Sequence, residues 1–311
     1  MTDGQANGKP HRGPGSSGCG GPFSLVLGGS PLPQEGHDPT VPWWSFTKTV
    51  LSATALTLVR DGLVGLDDAV PEGPFTLRQL LRHEAGLADY GELPEYHAAV
   101  ARDGAPWPVA EMLQRLDATR LRHEPGAAWR YSNVGYLYVA RLIERVAGLA
   151  LQDALAQRAL APLGVVGARL ATTPVDMAGL GVAPAYDPGW VYHGLLVGPL
   201  SGAALFLDRL LAGHLLPDAL LREMQTARHL GGAIPGRPWT SAAYGLGLMQ
   251  GTVDAGFTVA GHTGVGPGSV VAVYRCAQGA GSATCAVFHA GADEGRAERD
   301  VVDRLSRCLT R

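Results

Sequence analysis

Strand-forming sequence lies at both ends of this chain and helix-forming sequence lies between, which limits the possible folds more than any other feature. Near the start, Phe23 to Leu27 (FSLVL) is a short apolar run ended by Gly28-Gly29. Near the end, FTVAGH, GSVVAVYRC and ATCAVFHA are β-branched, apolar runs separated by Gly-rich turns, the pattern of consecutive antiparallel strands. Between them, SFTKTVLSATALTLVR reads as a helix from Ser45 to Arg60, with Leu51, Ala55 and Leu58 on one face and Gly62 at the stop. Thr76 starts a second helix, LRQLLRHEAGL, stopped at Gly86. Residues 108–230 are mostly helical in pattern, including Val134 to Gly148 and Leu200 to Gly213; a last helix runs from about Asp293 to Leu309. The arrangement predicts an α+β fold. One antiparallel sheet is built from both chain ends and flanked by helices, with a mostly helical domain inserted. Residues 1–21, polar and Gly-rich, read as a flexible tail. Residues 22–60 and 240–311 then form the α/β part, and 61–239 the mostly helical part.

Composition excludes several classes of function. A formal net charge of −3 without a basic run gives no support to nucleic-acid or membrane-surface binding. No apolar stretch approaches membrane-spanning length. The N-terminal segment lacks the apolar centre of a secretory signal, so a cytoplasmic protein is expected. Cys19, Cys276, Cys285 and Cys308 lack metal-ligand spacing, so neither metal nor cofactor is expected. Cys276 and Cys285 flank a hairpin turn, AQGAGSAT, and are expected close together as thiols. His83, His123 and His289 are isolated and read as structural. The chain has no Gly-x-Ser-x-Gly elbow, His-Glu-x-x-His, P-loop or dinucleotide fingerprint.

Three short sets of residues carry chemistry. In Ser45-Phe46-Thr47-Lys48, positions i and i+3 share a helix face, so the hydroxyl and the amine can meet. A serine hydroxyl is a weak nucleophile until a base takes its proton, and a desolvated lysine can be that base. Of the 25 basic residues only Lys9 and Lys48 are lysines, so the chain uses, at this ordered position, the basic residue that can lose its proton. The plain alternative is a helix cap followed by a solvated lysine. Tyr131-Ser132-Asn133, before the Val134 helix, offers a tyrosine whose phenolate a lysine ammonium would stabilise, and an amide to orient a substrate. Its alternative is a core aromatic with a cap. Gly261-His262-Thr263-Gly264 lies on or just after a strand, where glycines permit close backbone approach to a ligand. The N–H of Val265 can pair with that of Ser45 as an oxyanion hole. A strand-ending turn is the alternative there.

Together and in this order, the three sets resemble the serine β-lactamase and penicillin-binding-protein superfamily, in the branch with a Tyr-x-Asn second motif. That branch includes class C β-lactamases, DD-carboxypeptidases, D-aminopeptidases and β-lactamase-like esterases. The segments DGLVGLDDAV, TLRQLLRHEAGL, HEPGAAWRYSNVGYLYVARLIERVAG, LAPLGV and AYGLGLM resemble those the family places between its motifs, so the likeness runs from Phe23 to the C-terminus. The resemblance implies that Ser45 is acylated, Lys48 and Tyr131 share general-base work, and Asn133, His262, Thr263, Gly264 and Val265 bind the substrate. The amides of Ser45 and Val265 would form the oxyanion hole. A water activated near Tyr131 would then hydrolyse the acyl-enzyme.

Two departures qualify the expected substrate. The third motif reads His-Thr-Gly where class C β-lactamases usually have Lys-Thr-Gly, which removes a cation for a substrate carboxylate. The segment before Ser45 is short, which implies a sheet trimmed at that edge. Trp43, Trp44, Trp190, Tyr192 and Trp239 are candidates to line the cleft with apolar surface. The expected activity is that of a serine hydrolase on a small-molecule ester or amide, first of all a small-ester carboxylesterase. A D-amino-acid peptidase, DD-carboxypeptidase or weak β-lactamase is the alternative within the enzyme class; a catalytically silent scaffold is the alternative outside it.

Overall fold

The structure is a computed structural model that describes residues 21–33, 37–181, 186–279 and 281–309. The tail expected at 1–21 therefore lies outside the described residues, Gly21 excepted. The strands are β1 (Phe23–Leu27), β2 (Ser30–Pro31), β3 (Thr40–Pro42), β4 (Arg169–Ala171), β5 (Leu195–Pro199), β6 (Arg228–Gly231), β7 (Trp239–Tyr244), β8 (Met249–Val253), β9 (Thr258–Gly266), β10 (Ser269–Gln278) and β11 (Gly281–Ala290). Eight of them form one antiparallel sheet in the order β2-β1-β11-β10-β9-β8-β7-β6. The first strand pairs with the last, Leu25 facing Cys285, so the sheet joins both ends of the chain.

The helices are α1 (Thr47–Arg60), α2 (Leu77–Leu81), α3 (Pro94–Ala101), α4 (Val109–Arg115), α5 (Asn133–Ala147), α6 (Leu151–Leu155), α7 (Leu200–Leu211), α8 (Asp218–Gln225) and α9 (Glu294–Leu309). Burial of the sheet on both faces explains why its strands read as continuous apolar runs rather than alternating ones. Along β10 the side chains still alternate by face. Val271 and Val273 join the core that holds α1, α5 and α7, whereas Val270, Ala272 and Tyr274 join the core beneath α9 with Val301, Val302 and Leu305. Each such fully buried Val or Leu contributes about 1.5–3 kcal/mol. Cys276 and Cys285 are buried thiols in the α9-side core, two positions out of register across the hairpin.

Helix α1 is buried along nearly its whole length although it carries six polar side chains from Thr47 to Thr57. Several of these polar groups are satisfied inside the core. Thr47 Oγ1 accepts from Leu196 N, Thr49 Oγ1 donates to Gly247 O, and the Ser52 hydroxyl lies 3.0 Å from Tyr136 OH. The structure departs from the sequence reading in three places. Residues 169–171 and 195–199, inside the stretch read as mostly helical, are strands of a second sheet in the order β3-β5-β4. Arg228–Gly231, read as part of the same stretch, is the edge strand β6. Helix α2 opens on the Thr76–Gln79 capping box but ends at Leu81, because His83 takes a left-handed φ of 57°.

Candidate active site

Ser45 lies on a 3₁₀ turn, Trp44–Phe46, that runs directly into α1, so the regular helix begins two residues later than the sequence suggests. In a 3₁₀ turn residues i and i+3 nearly eclipse, and Lys48 Nζ comes to 3.3 Å from Ser45 Oγ. Tyr131 reaches the same oxygen from the loop before α5, its O–H donating to Ser45 Oγ at 2.9 Å. An oxygen that accepts from Tyr131 directs its own proton toward the Lys48 amine whenever that amine is neutral.

Local structure fixes both partners. Ser132 caps α5: its Oγ accepts from Gly135 N and donates to Ala88 O. Its N–H donates to His83 Nδ1 at 3.1 Å, and the His83 ring packs 4.3 Å from the Tyr131 ring. On the other side, Trp44 adopts φ 39°, a left-handed conformation that costs a bulky residue on the order of 1–3 kcal/mol. Its indole N–H donates to Ser269 Oγ at 3.0 Å, which ties the strained turn to β10.

Burial favours a neutral amine at Lys48 and a protonated phenol at Tyr131. Complete burial lowers the Lys48 pKa to about 7, against a smaller opposing pull from the Asp89 carboxylate. Burial pushes the Tyr131 pKa up, outweighing the opposing hydrogen bond to Ser45. The phenolate expected from a neighbouring ammonium therefore does not form at neutral pH; Tyr131 is a proton donor. The expected neutrality of His262 has a cause in burial first and the Lys48 charge second, which lower its pKa to about 3.

The third motif lies alongside, and His262, Thr263 and Val265 line the same cleft as Ser45. An added Cβ at Gly264 would stand 2.5 Å from Ser45 N, so only glycine lets β9 pass this close. Val265 follows, 40 % exposed, at the mouth of the site. The His262 ring is buried and both nitrogens are engaged: Nδ1–H donates to Thr263 O at 2.6 Å, and Nε2 accepts from Tyr244 OH at 3.0 Å. Thr263 Oγ1 donates to Glu298 Oε1 at 2.6 Å and also meets Tyr274 OH. The polar atoms of both side chains are thus engaged within the protein, while both residues line the same cleft as Ser45. Asn133 faces the site; its Nδ2 and backbone N–H donate to the two oxygens of Asp89.

Ser45, Tyr131, Asn133 and Val265 line a cleft of about 670 Å³. Of the aromatic residues expected there, Trp239 does line it and Trp44 borders a smaller recess, whereas Trp43 and Trp190 are core residues. Trp129 and Tyr244, which the sequence reading did not single out, supply the rest of the aromatic wall. Also unforeseen are Asp89, His193, Arg237, Glu294 and Glu298. None of them belongs to a motif, and the place of each depends on long-range packing. Arg237 is the one cation lining the cleft among the described residues. It is bonded to Glu294 at 3.1 Å and to Glu298, whose Oε2 also accepts from Trp239 Nε1. No metal-binding cluster occurs among the described residues, and none of their helices is long and apolar enough to cross a membrane.

The sequence of residues 35–305 matches the Beta-lactamase family. The chain belongs to it. A D-aminopeptidase of Cereibacter sphaeroides is 31% identical over 212 residues, 62% of this chain and 38% of that protein. A lovastatin esterase of Penicillium rubens is 26% identical over 169 residues, 45% of this chain and 41% of that one. The chain thus spans well under half the length of these relatives. Among solved structures, a D-stereospecific amidohydrolase from Streptomyces sp. superposes with a TM-score of 0.74 at 24% identity, covering 91% of this chain and 92% of the other. That likeness shows a shared fold over 91% of the chain.

Proposed function

We propose that this Beta-lactamase family chain is a serine hydrolase that cleaves small esters or amides through an acyl-enzyme on Ser45. The observation that carries the reading is Ser45 Oγ held between the Tyr131 O–H and the buried Lys48 amine, at 2.9 and 3.3 Å, on the wall of a substrate-sized cleft. Ser45 Oγ bonds to the substrate carbonyl carbon as its proton passes to Lys48 Nζ. Negative charge on the carbonyl oxygen is met by the N–H groups of Ser45 and Val265. The bond to the leaving group breaks as Tyr131 gives that group its proton, and the Lys48 ammonium makes good the loss. Water then attacks the Ser45 ester, its proton taken by the same pair, and the acid departs.

The cleft favours substrates without a free carboxylate. A substrate carboxylate would find Arg237, already bonded to two glutamates, and a neutral buried His262. We therefore assign neutral esters as the first substrate class. Amides of D-amino acids are the second reading. Glu294 favours it as a carboxylate on the cleft wall able to meet a substrate ammonium, as do the D-aminopeptidase relatives. A panel of p-nitrophenyl esters, D- and L-amino-acid amides, nitrocefin and carboxylate-ended D-peptides decides the class. Neutral substrates should exceed carboxylate-ended ones at least tenfold in kcat/KM, about 1.4 kcal/mol. Ser45→Ala should abolish all turnover and all fluorophosphonate labelling. A tenfold preference for carboxylate-ended peptides would overturn the substrate assignment, and a folded wild type that neither labels nor turns over would make the chain a silent scaffold.

A pH profile follows from the buried amine. The base must be neutral, and its pKa in the folded protein is lowered to about 7. The acidic limb of kcat/KM should therefore rise with pH, pass its midpoint near 7, and level above it. A rate independent of pH between 6 and 8 would exclude Lys48 as the base.

A further inference from the structure

His193 lies 145 residues from Lys48 in sequence, in the loop before β5, yet its Nε2 comes to 3.1 Å from Lys48 Nζ. Both groups are buried, and the ring packs against Tyr136. His193 also borders the smaller recess, a cavity of about 120 Å³ that reaches Ser45 from the side of Tyr90 and Tyr186. Its Nδ1 is buried and has no hydrogen-bond partner among the described residues. Fixing a buried imidazole with one nitrogen unpartnered costs stability, and the bond to the lysine is the contact that the ring makes in return.

We propose that His193 is a positioning residue for the reaction: its Nε2 accepts one N–H of Lys48 and so aims the amine at Ser45. This rests on the acyl-enzyme reading above. A neutral amine has one lone pair and two N–H groups on a stem of four rotatable bonds. It can take the Ser45 proton only when the lone pair points at Ser45 Oγ. If the imidazole donated to the amine instead, it would occupy that lone pair and silence the base. The productive tautomer therefore carries its proton on Nδ1, which leaves Nε2 as an acceptor. Burial and the neighbouring Lys48 charge hold the His193 pKa well below 6.5, so the ring stays neutral and does not compete for the proton.

The same contact acts on the product of proton transfer. Lys48 ammonium has no carboxylate in direct contact among the described residues. Asp89 acts on it through space, and the faces of Tyr131 and Tyr136 lie 5.1 and 5.7 Å from Nζ. His83 and His262, the other titratable groups within electrostatic reach of His193, are both buried with lowered pKa values. His193 Nε2 is then the neutral acceptor that stabilises the ammonium. Removing it should lower the Lys48 pKa further, because the charged form alone loses a hydrogen bond.

The test compares wild type, His193→Leu and His193→Gln by fluorophosphonate labelling rate and by the pH profile of ester hydrolysis, with thermal melting as the check on folding. In His193→Leu, kcat should fall about 10- to 100-fold, the order of loss that follows from misplacing a reacting group. KM should change little, and the acidic limb should move to lower pH. His193→Gln can return an acceptor oxygen near the same point and should recover most of the rate and the limb. A folded His193→Leu protein with wild-type kcat and an unmoved limb overturns the proposal, as does a rate loss that His193→Gln shares equally. A folded wild type that does not label fails at the earlier step, because the acyl-enzyme reading itself then falls.

Discussion

Lys48→Arg should lose activity nearly as completely as Lys48→Ala, a fall of roughly 100- to 10,000-fold in kcat/KM, the usual contribution of a general base. The substitution keeps the positive charge and discards the ability to be neutral. An arginine at this position stays protonated at any working pH, whereas the lysine amine, with its pKa lowered to about 7, is substantially neutral at physiological pH. The guanidinium is also bulkier than an amine that sits 3.3 Å from Ser45 Oγ and 3.1 Å from His193 Nε2. Melting and circular dichroism are therefore needed beside the kinetics. A folded Arg variant that turns over esters near the wild-type rate would show that position 48 supplies a positive field and no proton transfer. The Lys48→Met variant separates the two roles further, because it removes charge and base together while filling a similar volume.

The parts of this site carried by short sequence spacing are legible in the sequence itself. Ser45 and Lys48 stand three residues apart, so local backbone geometry alone brings them together, whether the turn is 3₁₀ or α. Strand runs at both chain ends likewise identify the sheet, because β-branched apolar sequence bounded by glycine has few other uses. Tyr131 was visible through its motif, but not its protonation state. The motif puts the phenol beside the lysine, whereas the fold buries it, and burial outweighs the opposing hydrogen bond to Ser45. His262 and Thr263 show the same limit. Their strand position is plain from the sequence, yet the partners that occupy their side chains, Tyr244, Tyr274 and Glu298, come from β7, β10 and α9.

What stayed hidden depends on contacts between distant segments. His193 and Asp89 carry no motif, and neither becomes interesting until the loop before β5 and the segment after α2 are packed around α1. The small sheet β3-β5-β4 is hidden for a different reason. Its central strand, LLVGP, is a short buried apolar run next to helix-forming sequence, and periodicity cannot distinguish such a strand from helix. The tryptophans repeat the lesson: Trp43 and Trp44 are adjacent in sequence, yet one is fixed in the core and the other borders the recess beside Ser45.

Gly264→Ala should cost on the order of 100- to 1,000-fold in kcat, the loss that follows when one donor of an oxyanion hole is displaced. The new methyl would stand 2.5 Å from Ser45 N, 2.7 Å from Trp44 Cβ and 3.0 Å from Trp43 O. None of these atoms is the end of a flexible side chain, so β9 or the 3₁₀ turn must move. Both are anchored. The strand is held by its register with β10 and by Thr263 on Glu298; the turn is held by Trp44 on Ser269 and by Phe46 N on Trp43 O. Whichever yields, the Ser45 and Val265 backbones move apart, and the oxyanion hole proposed for their N–H groups is lost. In the proposed acylation the two donors meet charge that appears only during the reaction, so kcat should fall much more than KM rises. Overpacking should also cost about 1–3 kcal/mol of stability, which a modest drop in melting temperature would register. A folded Ala variant with wild-type kcat would show that the oxyanion is stabilised elsewhere, and that the close passage of β9 over Ser45 serves packing alone.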